Sequence, residues 1–148
     1  MRAAVSHSLV QALRVVPAFA ALDEQTLVRM VGASANLVWA AGSVVFEEGT
    51  PSDALYIVLS GEVGIYDAED EGGAEIARIG PGDFFGELSI LLYTTHSKRA
   101  RALDEAELLV LPKDSLQELL AANEELGEHF RRKMAERMPP VAPPAPGN

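Results

Sequence analysis

The stretch "ALYIVLSGEVGIYDA" at 54–68 decides the fold class, because it consists of two short apolar runs joined by a Ser-Gly pair. Val, Ile and Tyr favour strands, and Ser-Gly is typical of a tight turn. Further short runs, each bounded by Gly, Pro, Asp or Ser, lie on both sides of it: "SVVFEEG" at 43–49, "AEIARIG" at 74–80 and "ELLVLP" at 107–112. Strands of this length, separated by turns at regular intervals, predict an antiparallel sandwich or barrel. The acidic stretch "DAEDEGG" at 67–73 is expected to be a solvated hairpin loop.

Helical spacing precedes these strands. Apolar residues recur every three or four positions near the N-terminus: Val5, Leu9, Leu13 and Val16. They predict a helix that ends near Pro17. A second helix is expected to begin at Asp23, whose carboxylate can accept a hydrogen bond from a backbone N–H of the first turn, and to end at Gly32.

Helices are also expected after the last strand. Pro112 ends that strand, and Asp114 or Ser115 is predicted to cap the helix that follows it. A further helix is predicted from Asn123 to about Arg137. The order of helices, then strands, then helices is that of an α+β domain.

The chain has 148 residues, a net charge of −10 and no cysteine. Its length fits one domain at 1–138, and the five prolines of "PPVAPPAPGN" at 139–148 predict a disordered tail. The negative charge argues against a broad face for nucleic acid or for an anionic membrane, because both need clustered cations. The absence of cysteine excludes disulfides and thiolate metal sites. Gln11, Arg14 and Pro17 interrupt the N-terminal apolar run, which favours an amphipathic helix over a signal peptide, and the cytoplasm is the expected location.

One segment of this negatively charged chain is locally rich in basic residues. Lys98, Arg99 and Arg101 crowd together behind a Phe-Phe-Gly-Glu turn at 84–87. Such cations can bind an anion, or they can be edge-strand charges that discourage aggregation. Because successive side chains of a strand point to opposite faces, Arg99 and Arg101 share one face and Lys98 takes the other. All three therefore cannot reach one pocket.

The stretch "PGDFFGELSILLYTTHSKRARAL" at 81–103, which contains this cluster, resembles the cyclic nucleotide-binding domain. The resemblance extends to "AAGSVVFEEGTPSDALYIVLSGEVGIY" at 40–66 and to "AELLVLPKDSLQELL" at 106–120, in the family's order. The family includes the ligand-binding module of the catabolite activator protein, the regulatory subunits of cyclic AMP-dependent kinase and cyclic nucleotide-gated channels. The resemblance implies an antiparallel β-roll, or jelly roll, flanked by N-terminal and C-terminal helices.

The resemblance also implies a ligand site. In the family a Gly-Glu-Leu-Ala/Ser turn exposes backbone N–H groups, and its Glu accepts a hydrogen bond from the ribose 2′-hydroxyl. The matching residues are Gly86, Glu87, Leu88 and Ser89. Independently of the resemblance, free N–H groups at a helix start favour an anion, and a carboxylate suits a hydroxyl because it accepts strongly and cannot donate. Without this context, a cap or a solvated charge would be the simpler explanation of Glu87.

The Arg that usually clamps the cyclic phosphate, in a "PRSA" or "PRAA" string, is replaced in this chain. Counted without a gap, its position is occupied by His96, and Ser97 stands where a small residue offers its N–H to the phosphate. Arg99 falls where a Thr or Ser often touches phosphate or base. A gap would place Arg99 on the clamp position instead, but the strand at 102–111 would then lose its match. His96 can otherwise be a neutral surface histidine in a loop at the sheet edge.

The last predicted helix, at 124–138, has the apolar spacing of an amphipathic cap on the roll. In the family the corresponding helix also covers the base of the ligand. The resemblance therefore implies Phe130, Met134 and Arg137 as candidate contacts.

Two functions are consistent with these observations. The first is a regulatory module that binds a cyclic nucleotide, cAMP or cGMP, and transmits binding through its C-terminal helices to a second copy in a homodimer or to a protein partner. The alternative is a member of the same fold that has lost its ligand and acts as a protein-interaction scaffold. The intact turn at 86–89 favours the first function, and His96 favours the second.

Other activities are not expected from the sequence. His7, His96 and His129 are scattered, which gives no basis for a metal site, and no phosphate-binding or dinucleotide motif suggests a cofactor or an enzyme. No helix-turn-helix follows Arg137, so nucleic acid is not an expected partner unless the chain is a fragment of something longer. No membrane contact is expected.

Overall fold

The computed structural model describes residues 2–66, 75–87, 95–96 and 98–137. Two helices come first, α1 (Arg2–Arg14) and α2 (Glu24–Ala33). Eight strands follow: β1 (Ala35–Trp39), β2 (Val44–Phe46), β3 (Ala54–Ser60), β4 (Val63–Tyr66), β5 (Glu75–Ile79), β6 (Phe84–Phe85), β7 (Arg99–Ala102) and β8 (Ala106–Pro112). Helices α3 (Lys113–Ala122) and α4 (Glu124–Arg137) close the described chain.

The strands form two four-stranded antiparallel sheets. The first has the order β1-β8-β3-β6 and the second the order β2-β7-β4-β5. The longest ladder joins β3 to β8. It runs from the pair Ala54 and Pro112 to the pair Ser60 and Glu107. The predicted α+β class, an antiparallel β-roll flanked by N-terminal and C-terminal helices, is confirmed.

Strand β3 is buried on both faces, and it separates two hydrophobic cores. Leu55 and Ile57 pack against the helices, whereas Tyr56 and Val58 face the interior between the two sheets. This explains why the sequence of β3 is a continuous apolar run rather than an alternation of polar and apolar residues. Burying one such side chain contributes about 1.5–3 kcal/mol, so the central strand anchors both layers.

The turn between β3 and β4 is fixed by a close approach of two chain segments. Gly61 has a φ of +77°, and a Cβ atom at this position would lie 2.4 Å from the backbone oxygen of Glu105. The next residue, Glu62, donates its backbone N–H to the Asp104 carboxylate at 2.7 Å. The turn predicted at the Ser-Gly pair is therefore present, and only glycine fits it.

Both predicted N-terminal helices are present, but α1 ends at Arg14, whereas an end near Pro17 was predicted. Asp23 caps α2, because its carboxylate accepts a hydrogen bond from the backbone N–H of Thr26 at 2.7 Å. The prediction that α2 ends at Gly32 was wrong. The helix continues through Ala33, and the backbone N–H of Ser34 donates to the Val31 carbonyl.

Helix α3 begins earlier than predicted, and neither Asp114 nor Ser115 caps it. It starts at Lys113 and is preceded by Pro112, with no side-chain capping hydrogen bond. The backbone N–H of Lys113 donates to the Asp53 carbonyl at 2.8 Å. The segment just before β3 therefore satisfies the N–H group that a capping side chain would otherwise bind. Helix α4 follows Asn123 as predicted.

Two predictions lie outside the described residues, namely the hairpin loop at 67–73 and the tail at 139–148. Within the ranges described above, no helix is long and apolar enough to cross a bilayer.

Candidate functional site

The candidate site begins where β6 ends, at Gly86 and Glu87. Gly86 has a φ of +94°, and a Cβ atom there would lie 3.1 Å from the Ala54 carbonyl oxygen and 3.2 Å from the ring of Tyr56. The missing side chain lets the turn run close against β3, in a conformation that other residues rarely adopt. Gly86 therefore fixes the direction in which the chain continues into Glu87.

Glu87 is almost completely buried, with 1% of its surface exposed. A carboxyl group in such a place is uncommon, because removing a charge from water costs more than ordinary side-chain burial gains. This burial does not fit the simpler explanation of Glu87 as a solvated surface charge. Directly after β6, the chain instead holds a carboxyl group in a buried position.

His96 lies beside the second sheet, to which its stacking partner Phe46 belongs. Its backbone is tied to the loop after β2, because the Gly49 N–H donates to the His96 carbonyl at 2.8 Å and the His96 N–H donates to the Thr50 carbonyl at 3.0 Å. Its ring stacks on Phe46, with centroids 3.6 Å apart and an angle of 5° between the planes. With 3% of its surface exposed, His96 is not the surface histidine that one interpretation of the sequence expected.

Burial determines the charge of His96 in this state. Loss of water around the imidazole lowers the pKa of His96 below its ordinary value of 6.5, and the nearby Asp53 carboxylate opposes part of this effect. The ring is therefore mostly neutral at pH 7. A neutral ring suits the flat contact with Phe46.

Aromatic rings connect His96 to the turn at Gly86. Phe46 lies 5.5 Å from Tyr56 and 5.8 Å from Phe85, measured between ring centroids, and Tyr56 stacks on Phe85 at 5.1 Å. These three aromatic residues were not among the predicted site residues. Two of them could have been found from the sequence. Tyr56 lies on the interior side of β3 by strand alternation, and Phe85 directly precedes the turn.

Arg99 is not part of this group. In β7 the fully buried Ala100 and Ala102 face the interior, so Arg99 and Arg101 lie on the outer face of the second sheet. The Nε of Arg99 donates to the Glu47 carboxylate at 2.5 Å, and the Arg101 guanidinium lies 5.9 Å from the ring centroid of Tyr66. In this orientation Arg99 points away from the interior between the sheets, where the ligand site is predicted. Two of the three clustered cations, Arg99 and Arg101, are therefore charges on the outside of the roll.

Several predicted site residues belong to other parts of the chain. Leu88, Ser89 and Ser97 lie outside the described residues, and so does the side chain of Arg137, the last residue of α4. Of the other two candidates on α4, Met134 is half-buried and Phe130 is fully buried.

Phe130 connects α4 to β6. Its ring stacks on Phe84 with centroids 4.8 Å apart, on the helix side of the strand. Lys133, one turn later, forms an ion pair with Asp83 at 2.8 Å. The helix is thus attached to the two residues that lead into Phe85 and the candidate turn.

A separate cavity of about 320 Å³ lies between the segment after α1 and the start of α4. Its lining includes Asp23, Glu124, Glu125 and His129. Three carboxylates repel an anion, so this cavity does not suit a phosphate-containing ligand. Among the residues that the structure describes, no cluster of three His, Asp or Glu side chains could hold a metal ion.

Comparisons with known proteins agree with this architecture. A model of the family described as "Cyclic nucleotide-binding domain" matches residues 37–123. A curated "CRP-like cAMP-activated global transcriptional regulator" from Mycobacterium tuberculosis is 36% identical over 98 residues, which cover 66% of this chain and 44% of the regulator. The chain therefore spans less than half the length of this relative.

Two solved structures are also similar. The sensor domain of the transcriptional regulator DNR from Pseudomonas aeruginosa has a TM-score of 0.79 at 23% identity, with 90% of both chains covered, and this likeness concerns the fold alone. The catabolite activator protein of Thermus thermophilus has a TM-score of 0.71 at 28% identity, with 82% of this chain and 57% of that chain covered.

Proposed function

Because the chain belongs to the cyclic nucleotide-binding domain family, as its sequence predicts, we propose that it is a regulatory module that binds cAMP or cGMP. The observation that carries this proposal is the buried Glu87 directly after Gly86, whose φ is +94°. A buried carboxylate at the mouth of a glycine turn can accept a hydrogen bond from a ribose hydroxyl without competition from water. The relative named as cAMP-activated supports a cyclic nucleotide as the ligand.

The proposed site consists of residues on both sides of the roll interior. Gly86, Glu87, Leu88 and Ser89 would hold the ribose and supply backbone N–H groups, and His96 and Ser97 would meet the cyclic phosphate. Arg137 would contact the base from the last turn of α4. Arg99 is left out, because its guanidinium is engaged with Glu47 on the outer face.

The rings of Phe46, Tyr56, Phe85 and His96 form one connected group next to the turn at Gly86. We propose that a ligand held at Glu87 displaces His96 from its stack on Phe46. The displaced imidazole would leave an apolar environment and approach the phosphate. Both changes favour protonation, so the ligand would convert a neutral stacked ring into a cationic phosphate contact.

We propose that the bound state is transmitted through β6. Phe85 faces the interior with the ligand, whereas the preceding Phe84 stacks on Phe130 of α4. A shift of the turn therefore acts on both sides of the strand, and the ion pair between Asp83 and Lys133 adds a second attachment. A second copy of the chain or a protein partner would respond to the new position of α3 and α4.

The module is proposed to be a regulator without catalysis, with no cofactor and no metal, located in the cytoplasm, and to bind neither nucleic acid nor membrane by itself. The regulator from Mycobacterium tuberculosis supports a regulatory role. The net charge of −10 supports the proposal that this chain alone does not bind nucleic acid.

Calorimetric titration of the protein with cAMP and with cGMP tests the proposal, with 5′-AMP as the control that lacks the phosphate ring. Saturable binding of one cyclic nucleotide, and much weaker binding of 5′-AMP, is the expected result. Absence of binding at millimolar concentrations of both would contradict the proposal.

That negative result would favour a second candidate function, a scaffold that has lost its ligand and contacts proteins through its C-terminal helices. The specific observation behind it is His96, which replaces the expected Arg and is packed flat against Phe46. The His96→Arg variant separates the two candidates. It should bind cyclic nucleotide if only the clamp is lost, and it should fail to bind if the rest of the pocket is lost too.

A further inference from the structure

Ser52 carries a buried hydroxyl group that the described residues leave without a hydrogen bond. The residue is 8% exposed, and its Oγ has no hydrogen-bond partner within the described part of the chain. Buried polar groups are nearly always paired, so an unpaired buried hydroxyl is a candidate group for binding a ligand. Neither the predicted site nor the family comparison assigns a role to Ser52.

The position of Ser52 along the chain places it between the two halves of the proposed site. Two residues before it, the Thr50 carbonyl accepts a hydrogen bond from the His96 N–H at 3.0 Å. Two residues after it, the Ala54 carbonyl lies against Gly86, 3.1 Å from where a Cβ atom would stand. An extended chain advances about 3.3–3.6 Å per residue, so Ser52 lies within about 7 Å of each attachment along the backbone.

Strand parity places the Ser52 side chain on the interior side. The pairing of β3 with β8 continues one residue before β3, because the Asp53 carbonyl accepts a hydrogen bond from the Lys113 N–H at 2.8 Å. In an extended chain, alternate residues share one face. Ser52 therefore lies on the same side as Ala54 and Tyr56, which both belong to the interior core.

We propose that the Ser52 hydroxyl is a further ligand-binding group, which donates a hydrogen bond to an oxygen of the cyclic phosphate. The inference rests on the proposed function, because it needs a cyclic nucleotide in the interior. A carboxylate such as Glu87 only accepts, so the phosphate needs donors from elsewhere. Ser52 supplies one such donor between Glu87 and His96, the residue that stands at the position of the family's arginine.

The test is calorimetric titration of wild type and Ser52→Ala with the cyclic nucleotide that wild type binds. A hydrogen bond to a charged group corresponds to a loss of about 10- to 150-fold in affinity, which is the result expected for Ser52→Ala. The matched control is Ser60→Ala, an exposed serine at the other end of β3, which should bind as wild type does. Thermal unfolding of the ligand-free Ser52→Ala variant should occur at or above the wild-type temperature, because the change removes an unpaired buried hydroxyl.

A second readout separates a phosphate contact from a structural role. The two phosphorothioate diastereomers of the cyclic nucleotide each replace one exocyclic phosphate oxygen by sulfur, a poorer acceptor. Wild type should discriminate against the diastereomer that lacks the contacted oxygen, and Ser52→Ala should lose at least tenfold of that discrimination, following the logic of a double-mutant cycle.

The outcomes distinguish this inference from the proposed function. If wild type binds a cyclic nucleotide and Ser52→Ala binds it equally well, Ser52 has no role as a ligand and the proposed function stands. Unchanged discrimination between the diastereomers in Ser52→Ala overturns the phosphate contact in the same way. If wild type binds neither cAMP nor cGMP, both the proposed function and this inference are overturned.

Discussion

The ring of Phe130 in α4 stacks on the ring of Phe84 in β6, with centroids 4.8 Å apart and 14° between the planes. The next residue, Phe85, stacks on Tyr56 in the interior between the sheets. A strand of only two residues thus places one ring in each hydrophobic core. Because packed side chains resist deformation, a displacement of the turn after β6 is expected to reach α4 directly.

The first prediction concerns this connection. Saturating cyclic nucleotide should protect the amides between about Asn123 and Arg137 from hydrogen exchange, because a more firmly docked helix opens less often. Lys133→Ala removes the partly exposed ion pair with Asp83, so it should lower stability by less than about 1 kcal/mol while reducing this protection. Hydrogen exchange detected by mass spectrometry measures both effects. Identical exchange in α4 with and without ligand would leave transmission through this helix unsupported.

The second prediction concerns the turn that brings β4 beside β3. Gly61→Ala should lower the free energy of unfolding by about 2–5 kcal/mol, because the added methyl group meets the Glu105 carbonyl and the backbone has a positive φ. Gly42→Ala is the matched control. Gly42 has a φ of +85° with no atom within 4 Å of the added group, so only about 1–2 kcal/mol is expected. Denaturant unfolding measures both values, and equal losses in the two variants would contradict the close approach.

The third prediction concerns the stability of the ligand-free protein at acid pH. Because burial lowers the pKa of His96, the unfolded chain binds a proton at this site more readily than the folded chain does. The contribution of His96 to stability is therefore present above its unfolded pKa of about 6.5 and is lost as pH falls toward its folded pKa. His96→Phe keeps an aromatic ring on Phe46 and removes the titration. Its melting temperature should fall less than that of wild type between about pH 7 and pH 5.

The fourth prediction is that ligand binding depends on the protonation of His96 in the opposite direction from stability. Contact with a negatively charged phosphate raises the pKa of His96 in the bound state, so binding takes up a proton. Affinity should be highest below the free-state pKa and should fall as pH rises through the bound-state value. His96→Arg should bind more tightly and lose most of this dependence, because a guanidinium stays charged throughout. A wild-type affinity that is flat between about pH 5 and 8 would show that His96 does not meet the phosphate.

The fold could be predicted from the sequence because short apolar runs and turn residues are local signals. The run at 54–60 and the Ser-Gly turn after it became β3 and the turn at Gly61. Helix ends were less predictable where a distant segment decides them. Helix α3 begins at Lys113, whose N–H donates a hydrogen bond to the Asp53 carbonyl. The residues around the start of the helix give no sign of this distant contact.

The candidate site was only partly predictable, for a similar reason. The turn at Gly86 and Glu87 was found through its local motif. The side of the sheet on which Arg99 lies depends on the register of β7, and its partner Glu47 lies fifty-two residues away. The burial of His96 depends on its stack on Phe46, which lies fifty residues earlier in the sequence. Contacts of this kind exist only after the roll has closed.

The claim that Glu87 binds the ribose is tested most directly by removing either partner of the proposed hydrogen bond. Wild type should lose affinity for 2′-deoxy-cAMP relative to cAMP by about 1.5–3 kcal/mol, and Glu87→Ala should lose as much for cAMP. The control Glu118→Ala, an exposed carboxylate on α3, should behave as wild type. In calorimetric titration of Glu87→Ala, the account predicts that cAMP and 2′-deoxy-cAMP bind equally, because the acceptor for the hydroxyl is gone. If Glu87→Ala still prefers cAMP as strongly as wild type does, Glu87 does not bind the ribose.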